Sequence, residues 1–343
     1  MRSPSETVLD MMFVGKWGSQ TLCAAAEVGV FDHLSVDTPR SAADVAEDAR
    51  LDPALLYRVL RALASLDLLH ETDGQNFTLT ERGAVLRTDA PGSLRYMAML
   101  EGGLEHWEMW KHIPAMLRDG RQNGFIREFG QMAFDRARAF PDGYGAVFAR
   151  AMSGISAIQS SQVVQALRPY DFTGIRHWCD VAGGHGHMMC ELLQAHPHLT
   201  GTVFDLPEVV GATDQLWAPK LHLEDRCRYV AGDMFREIPV DADAYSLKMI
   251  LHDWNDEECR QILGSIRRQA RPGSRLLVVE HIVPGPTEPH PSKLFDMQMM
   301  CWGTGRERTA DEYAALLRAA GWRFAGVHET EEGVLGIVEG IAG

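Results

Sequence analysis

From Tyr170 onward short apolar runs alternate with amphipathic helical stretches, and nothing else in the 343-residue chain restricts the fold as much. The runs lie at 177–181, 201–204, 227–231, 244–249 and 275–279, with helical stretches ending near His196 and Ala270 between them. Buried strands that alternate with helices bury both kinds of apolar face in one arrangement, a mainly parallel sheet covered by helices on both sides. Residues 309–341 add a helix and two closing strands. The expectation is an α/β fold with a doubly wound, Rossmann-like domain over 171–343.

The first hundred residues have a different texture. Apolar residues recur at helical spacing from Thr21 to Leu34 until Gly29 and Asp32 loosen the pattern. Ser41 is placed to cap a helix with Asp44 in its first turn. Asp52-Pro53 opens the next helix, with Leu55, Leu56, Val59, Leu60 and Leu63 expected on one face. A short hairpin follows, 68–71 and 77–80 around the turn Thr72-Asp-Gly-Gln75. Helix, turn, helix, hairpin is a winged-helix order, which first suggests DNA binding.

Charge argues against that use. The chain carries 33 Lys and Arg against 47 Asp and Glu, a formal net charge of −14. The second helix offers only Arg58 and Arg61 to a phosphate backbone. Neither nucleic acid nor an anionic membrane surface is an expected partner. Residues 1–95 read instead as a winged-helix-like dimerisation domain and the chain as a homodimer. Residues 96–170 read as a helical connector, rich in aromatic residues and methionine, that contributes to a substrate pocket. No run approaches the roughly 20 apolar residues of a membrane helix, and no signal peptide is recognised. Six scattered cysteines without CxxC pairs point to a reducing, cytoplasmic setting, and no metal site is expected.

The strand at 177–181 runs into Asp180-Val-Ala-Gly-Gly-His-Gly-His187. Glycines at a strand-to-helix turn let the backbone approach a ligand where a Cβ would clash. The pattern is not GxGxxG, because Met189 stands three after Gly186, and Asp180 would repel a pyrophosphate. A cofactor with an amino group and a sulfonium suits that acid better. Asp205 ends the second strand, placed to accept both ribose hydroxyls of an adenosine. Gly232-Asp-Met-Phe235 ends the third and puts Asp233 and Met234 beside an adenine. Each acid alone reads equally well as a helix cap. Three strand ends in succession favour an adenosyl cofactor.

Together with Leu247-Lys-Met-Ile-Leu-His-Asp-Trp254 and Gly305-Arg-Glu-Arg-Thr309, these motifs resemble the S-adenosylmethionine-dependent small-molecule O-methyltransferases of plants and bacteria, the caffeate, flavonoid, hydroxyindole and polyketide types. The resemblance spans nearly the whole chain and implies a Rossmann-like methyltransferase with S-adenosyl-L-methionine as cofactor. By that resemblance Gly183 and its neighbour Gly184 hold the methionine part, Trp254 stacks on adenine, and Lys248 lies along the cofactor. His185 stands where the family usually has a small residue, and is expected to reach the cofactor carboxylate or narrow the pocket.

Methyl transfer to a hydroxyl needs in-line alignment and removal of a proton. His252 lies just past the fourth strand, on the ligand side of an open α/β sheet, and resembles the family's general base. Glu280 and Glu307 match the supporting carboxylates that would orient it, with Asp253 a further matching position. Arg306 and Arg308 offer a structural alternative, in which they pair with those acids. The acceptor walls implied by the resemblance are Phe148, Met152, Met297, Met300 and Trp302, with Cys301 beside them. The bulk of Trp302 hints at a small acceptor. An alternative is S-methylation of a thioether acid such as 4-methylthio-2-hydroxybutyrate, in dimethylsulfoniopropionate synthesis; that reaction needs no base. A ligand-sensing winged-helix regulator is a third reading.

Overall fold

The computed structural model describes residues 3–330 and 334–343. The chain forms two compact units, Met1–His112 with Phe125–Ser156, and Ile113–Gly124 with Ala157–Gly343.

The first unit is built from helices and a small three-stranded antiparallel sheet. Ser41 caps the helix Ala42–Ala49 by accepting from the Asp44 N–H at 3.1 Å. Asp52 does the same for Pro53–Ser65, accepting from the Leu55 N–H at 2.8 Å. The strands β1 (Arg40–Ser41), β2 (Leu69–Thr72) and β3 (Asn76–Leu79) lie in the order β1-β3-β2. Gly74 and Gln75 turn the hairpin with φ of +75° and +60°. Leu56, Leu60 and Leu63 are buried with Phe31, Val45 and Phe77. Leu55 is not part of that stripe and is 59% exposed. At about 100° per residue it lies a third of a turn from Leu56, so a leucine-rich helix does not bury every leucine.

The second unit holds a seven-stranded sheet, β4 (His177–Val181), β5 (Thr200–Asp205), β6 (Cys227–Ala231), β7 (Ala244–Lys248), β8 (Arg275–His281), β9 (Trp322–Glu329) and β10 (Leu335–Ala342), ordered β6-β5-β4-β7-β8-β10-β9. The first five strands are parallel, and β10 runs antiparallel to both β8 and β9. The expected α/β architecture, mainly parallel with two closing strands, is therefore present. Residues 331–333 of the closing segment lie outside the described residues.

Strand β8 shows why the apolar runs are continuous rather than alternating. Leu276 and Val278 pack into one core with Ile262 and Leu317, while Leu277 and Val279 pack into another with Met189 and Leu193. A strand covered on both faces needs apolar side chains at every position. Each fully buried leucine or valine contributes roughly 1.5–3 kcal/mol. Strand order reverses between β4 and β7, and in such sheets ligands bind in the crevice beyond the carboxyl ends at that point. Among the described residues no helix is long and apolar enough to cross a membrane.

Candidate active site

The turn after β4 carries three left-handed residues, Ala182 (φ +55°), Gly184 (φ +59°) and Gly186 (φ +87°). A Cβ on Gly184 would meet nothing within 4 Å, so that glycine borders open space. A Cβ on Gly183 would come within 2.6 Å of Asp180 Oδ2, so the backbone packs directly on that carboxylate. Asp180 itself is buried beneath the loop and accepts the Ser246 hydroxyl at 2.6 Å. Burial pushes Asp180 up to about 6, against the lowering by Ser246 and Lys248.

Asp205, at the end of β5, accepts the N–H groups of Gly184 and Leu206, each at 2.7 Å. Each oxygen takes one backbone donor, and an ionised carboxylate has about four acceptor sites. Capacity for two ribose hydroxyls is therefore left. His185 anchors the loop through its carbonyl, which accepts Trp217 N–H at 3.0 Å and Tyr229 O–H at 2.9 Å. Its half-buried imidazole is held below the usual histidine range by burial and by Lys220.

Asp233 turns its own loop, accepting Phe235 N–H at 2.9 Å. The half-buried Met234 packs against the core beside Phe235. Trp254 meets Phe235 edge to face at 4.8 Å between centroids. Lys248 donates to Gln159 Oε1 at 3.3 Å, and burial lowers its pKa against the pull of Asp180 and Glu280. The open glycine loop, the Asp205 carboxylate and an aromatic wall fit an adenosyl ligand with a charged tail.

The second turn follows β7. Met249 takes φ +55° and redirects the chain into the short 3-10 turn Leu251–Asp253. Two buried side chains fix this turn. Glu280 Oε1 accepts Ile250 N–H at 3.0 Å and Leu251 N–H at 2.7 Å. The fully buried Arg308 donates to the carbonyls of Leu251 at 2.9 Å and Trp254 at 2.8 Å, and to Asp256. Arg306 pairs with Glu312 at 2.6 Å and Asp256 at 3.3 Å. Neither arginine pairs with Glu280 or Glu307, which removes the structural alternative for those acids.

The fixed turn presents His252, which is 6% exposed. Its Nδ1 is hydrogen-bonded to Glu307 Oε1 at 2.8 Å. Glu280 Oε2 lies 4.0 Å from the same nitrogen, too far for a hydrogen bond. The two carboxylates therefore divide the work: Glu307 orients the ring and Glu280 holds the backbone beneath it. Gly305 makes the approach of Glu307 possible, since a Cβ there would collide with the His252 carbonyl. Asp253 Oδ1 lies 3.5 Å from the other nitrogen, Nε2.

Burial works against a charged His252, but the carboxylates of Asp253, Glu280 and Glu307 outweigh it and push the ring up to about 10. Burial disfavours the Glu307 charge, yet His252 and His281 hold it down to about 2. Asp253 rises to about 7, chiefly through burial and despite His252.

Two neighbours of His252 were not singled out by sequence reasoning. Phe295 stacks parallel to His252 with centroids 6.0 Å apart, and His281 meets the same ring at 4.4 Å. Phe295 stands two residues before Met297 on the helix Ser292–Trp302, and His281 directly follows Glu280, which is the only signal the sequence carries for them. On that helix Met297 and Met300 are half-buried, while Cys301 and Trp302 are buried. Phe148 and Met152 are half-buried on the helix Tyr144–Ala166, within the first unit. The six cysteines are all free and buried.

A glycine turn at the switch point, an acid at the next strand end and an imidazole–carboxylate pair beyond the fourth strand define a methyltransferase of the S-adenosylmethionine class. The chain belongs to the O-methyltransferase family: residues 110–323 match its O-methyltransferase domain and residues 12–89 its dimerisation domain. It is 34% identical over 336 residues to the phenazine O-methyltransferase of Lysobacter antibioticus, covering 98% of this chain and 96% of that one. It is 32% identical to human acetylserotonin O-methyltransferase over 321 residues, 89% of each chain. The crystal structure of human N-acetylserotonin methyltransferase in complex with S-adenosylmethionine superposes with a TM-score of 0.87 at 29% identity, over 100% of this chain and 99% of that one. This chain is thus an S-adenosylmethionine-dependent methyltransferase that acts on a hydroxyl of a small molecule. Family membership as an enzyme displaces the regulator reading.

Proposed function

We propose that His252 is the general base for methylation of a phenolic hydroxyl, oriented by Glu307 and seated by Glu280. The observation that carries this reading is the 2.8 Å Nδ1–Oε1 contact between two buried side chains, which leaves Nε2, with Asp253 Oδ1 at 3.5 Å, as the nitrogen for an acceptor proton. S-adenosylmethionine, when bound, supplies a methyl group on sulfonium sulfur for displacement by the acceptor oxygen. Asp205 binds the ribose hydroxyls, Asp233, Met234 and Trp254 flank adenine, and Gly183, Gly184 and His185 border the methionine part. Asp180 and Lys248 support that loop from below. Met297, Met300 and Trp302 are proposed acceptor-facing residues.

The carboxylates around His252 raise its basicity against burial, which suits removal of a proton from a weakly acidic hydroxyl such as a phenol. A thioether acceptor has no proton to lose, so the His252–Glu307 pair would have no task, and the S-methylation reading gains no support. Several relatives are named for aromatic acceptors, among them 3-amino-4-hydroxybenzoate 4-O-methyltransferase of Streptomyces cremeus. Turnover of methyl-labelled S-adenosylmethionine against phenols, hydroxy acids and thioether acids tests the proposal. Labelled phenol ether is expected, and product from thioethers alone would contradict it.

Assembly is proposed as a homodimer through the first unit, whose winged-helix-like order then serves protein contact. Met11, Trp17 and Leu55 are 72%, 61% and 59% exposed there, an unusual apolar load for a free surface. Light scattering should return twice the chain mass, and the mass of one chain would contradict the dimer. Six free thiols suit a cytoplasmic enzyme.

A further inference from the structure

The base site contains a second histidine for which the reaction as proposed has no role. His281 closes β8 directly after Glu280 and is 6% exposed. Its Nδ1 lies 3.5 Å from Glu307 Oε1, the same oxygen that accepts His252 at 2.8 Å. The donor atoms of His252, His281 and Glu307 all lie within 4.8 Å of one another. We infer that His281 is a positioning residue for the base: it shares Glu307 with His252, draws part of that carboxylate's charge to itself, and so sets the pH range over which His252 is free to accept a proton. This rests on the reading of His252 as the base.

The geometry supports sharing over simple packing in two ways. One ring, Phe295, fixes both imidazoles: parallel to His252 at an interplanar angle of 7°, and edge-on to His281 at 67°. In this arrangement the His281 ring has Nδ1 toward Glu307. The nitrogen is also buried without a hydrogen-bond partner among the described residues at the ordinary limit, as is Glu307 Oε2. Leaving a buried polar atom unpaired is costly. A small closure of the 3.5 Å gap to Glu307 Oε1 relieves it.

The consequence for His252 has a definite sign. Its proton is stabilised by the carboxylates around it, Asp253 on its own turn, Glu280 on β8 and Glu307 on the segment after Gly305. The remaining groups at this site are Asp296, whose Oδ1 accepts Glu307 N–H at 2.9 Å, the Arg308 guanidinium on the turn carbonyls, and Tyr313, which senses Glu280 and Glu307. An N–H directed at Glu307 Oε1 weakens the hold of that oxygen on His252. Removing the His281 nitrogen therefore leaves His252 more basic and less often free at neutral pH.

The test is the pH dependence of kcat/KM, with labelled cofactor, a phenol acceptor and EDTA throughout, in wild type, His281→Phe, His281→Asn and His252→Ala. Phe keeps a ring against Phe295 and loses the nitrogen; Asn places an amide N–H near the position of Nδ1. For His281→Phe the midpoint should rise by about half to one pH unit, a loss of roughly three- to tenfold on the acidic limb that closes at high pH. His281→Asn should restore the wild-type midpoint. A His281→Phe loss that is uniform across pH, with an unmoved midpoint, would assign His281 to packing and overturn the inference. Titration of the His252 ring by NMR in ¹³C-histidine-labelled enzyme gives the same shift without turnover, so a poorly active variant still decides the matter. If His252→Ala stays active, the base reading fails; if it is inactive while the His281→Phe midpoint is unmoved, only the role of His281 fails.

Discussion

The two turns beyond the sheet handle their carboxylates in opposite ways. In the cofactor loop Asp205 accepts two backbone N–H groups at 2.7 Å, and Asp180 sits under Gly183 on the Ser246 hydroxyl. Those acids are tied to backbone or hydroxyl donors that do not titrate. In the proposed base turn Glu307 faces two imidazoles, and Oε2 of both Glu280 and Glu307 is buried without a hydrogen-bond partner among the described residues. On the proposed reading the first site holds a shape and the second a proton. Binding of the cofactor should therefore vary little with pH above about 7, where Asp180 is ionised and acceptor chemistry still changes steeply.

Substitutions on either side should separate the two functions. The largest effect is expected for His252→Ala: kcat falls by about 10²–10⁴, the usual contribution of a general base, with cofactor affinity by calorimetry unchanged. A variant that lost cofactor binding in parallel would mean the turns are not independent. Glu307→Gln keeps the shape of the orienting group and removes its charge, so His252 becomes less basic. Its pH–rate midpoint should move to lower pH, with kcat reduced by about one to two orders of magnitude. A midpoint that moved upward would reverse the assignment.

Gly184→Ala tests the other side. A non-glycine residue at φ +59° costs roughly 1–2 kcal/mol, so KM for the cofactor should rise about tenfold while the pH profile keeps its midpoint. The smallest catalytic effect belongs to Arg308→Met, which strips the Leu251 and Trp254 carbonyls of their donor. Thermal unfolding should report a loss of roughly 1–3 kcal/mol, with a modest fall in kcat. A large kcat loss at unchanged stability would give Arg308 a direct role that its contacts do not support.

The same contrast explains what was legible in the sequence. The glycine turn is local, and Asp205 follows at a characteristic spacing, so both could be read from the chain, as could the strand–helix alternation around them. His252 and Glu307 were reached through motif resemblance, because the base site joins three separate segments that only the sheet brings together. The sequence could not tell whether Glu280 meets an imidazole or a backbone N–H; the left-handed turn at Met249 decides that by aiming two N–H groups at it. His281 and Phe295 escaped because an apolar strand end and an amphipathic helix account for such residues without any site. Leu55 shows the same limit in the first unit, where residue type alone did not give the buried face.

The central claim, that His252 removes a proton from a phenol, is tested most directly by the pH dependence of the methyl-transfer step in single turnover, with cofactor saturating. A base must be neutral to accept, and the carboxylates around His252 push it up to about 10. The transfer rate should accordingly rise with pH through the neutral range, by up to tenfold per unit, and level off on the alkaline side, while His252→Ala should lose this limb. A rate that is flat from pH 6 to pH 9 in the wild type and unchanged in His252→Ala would contradict it.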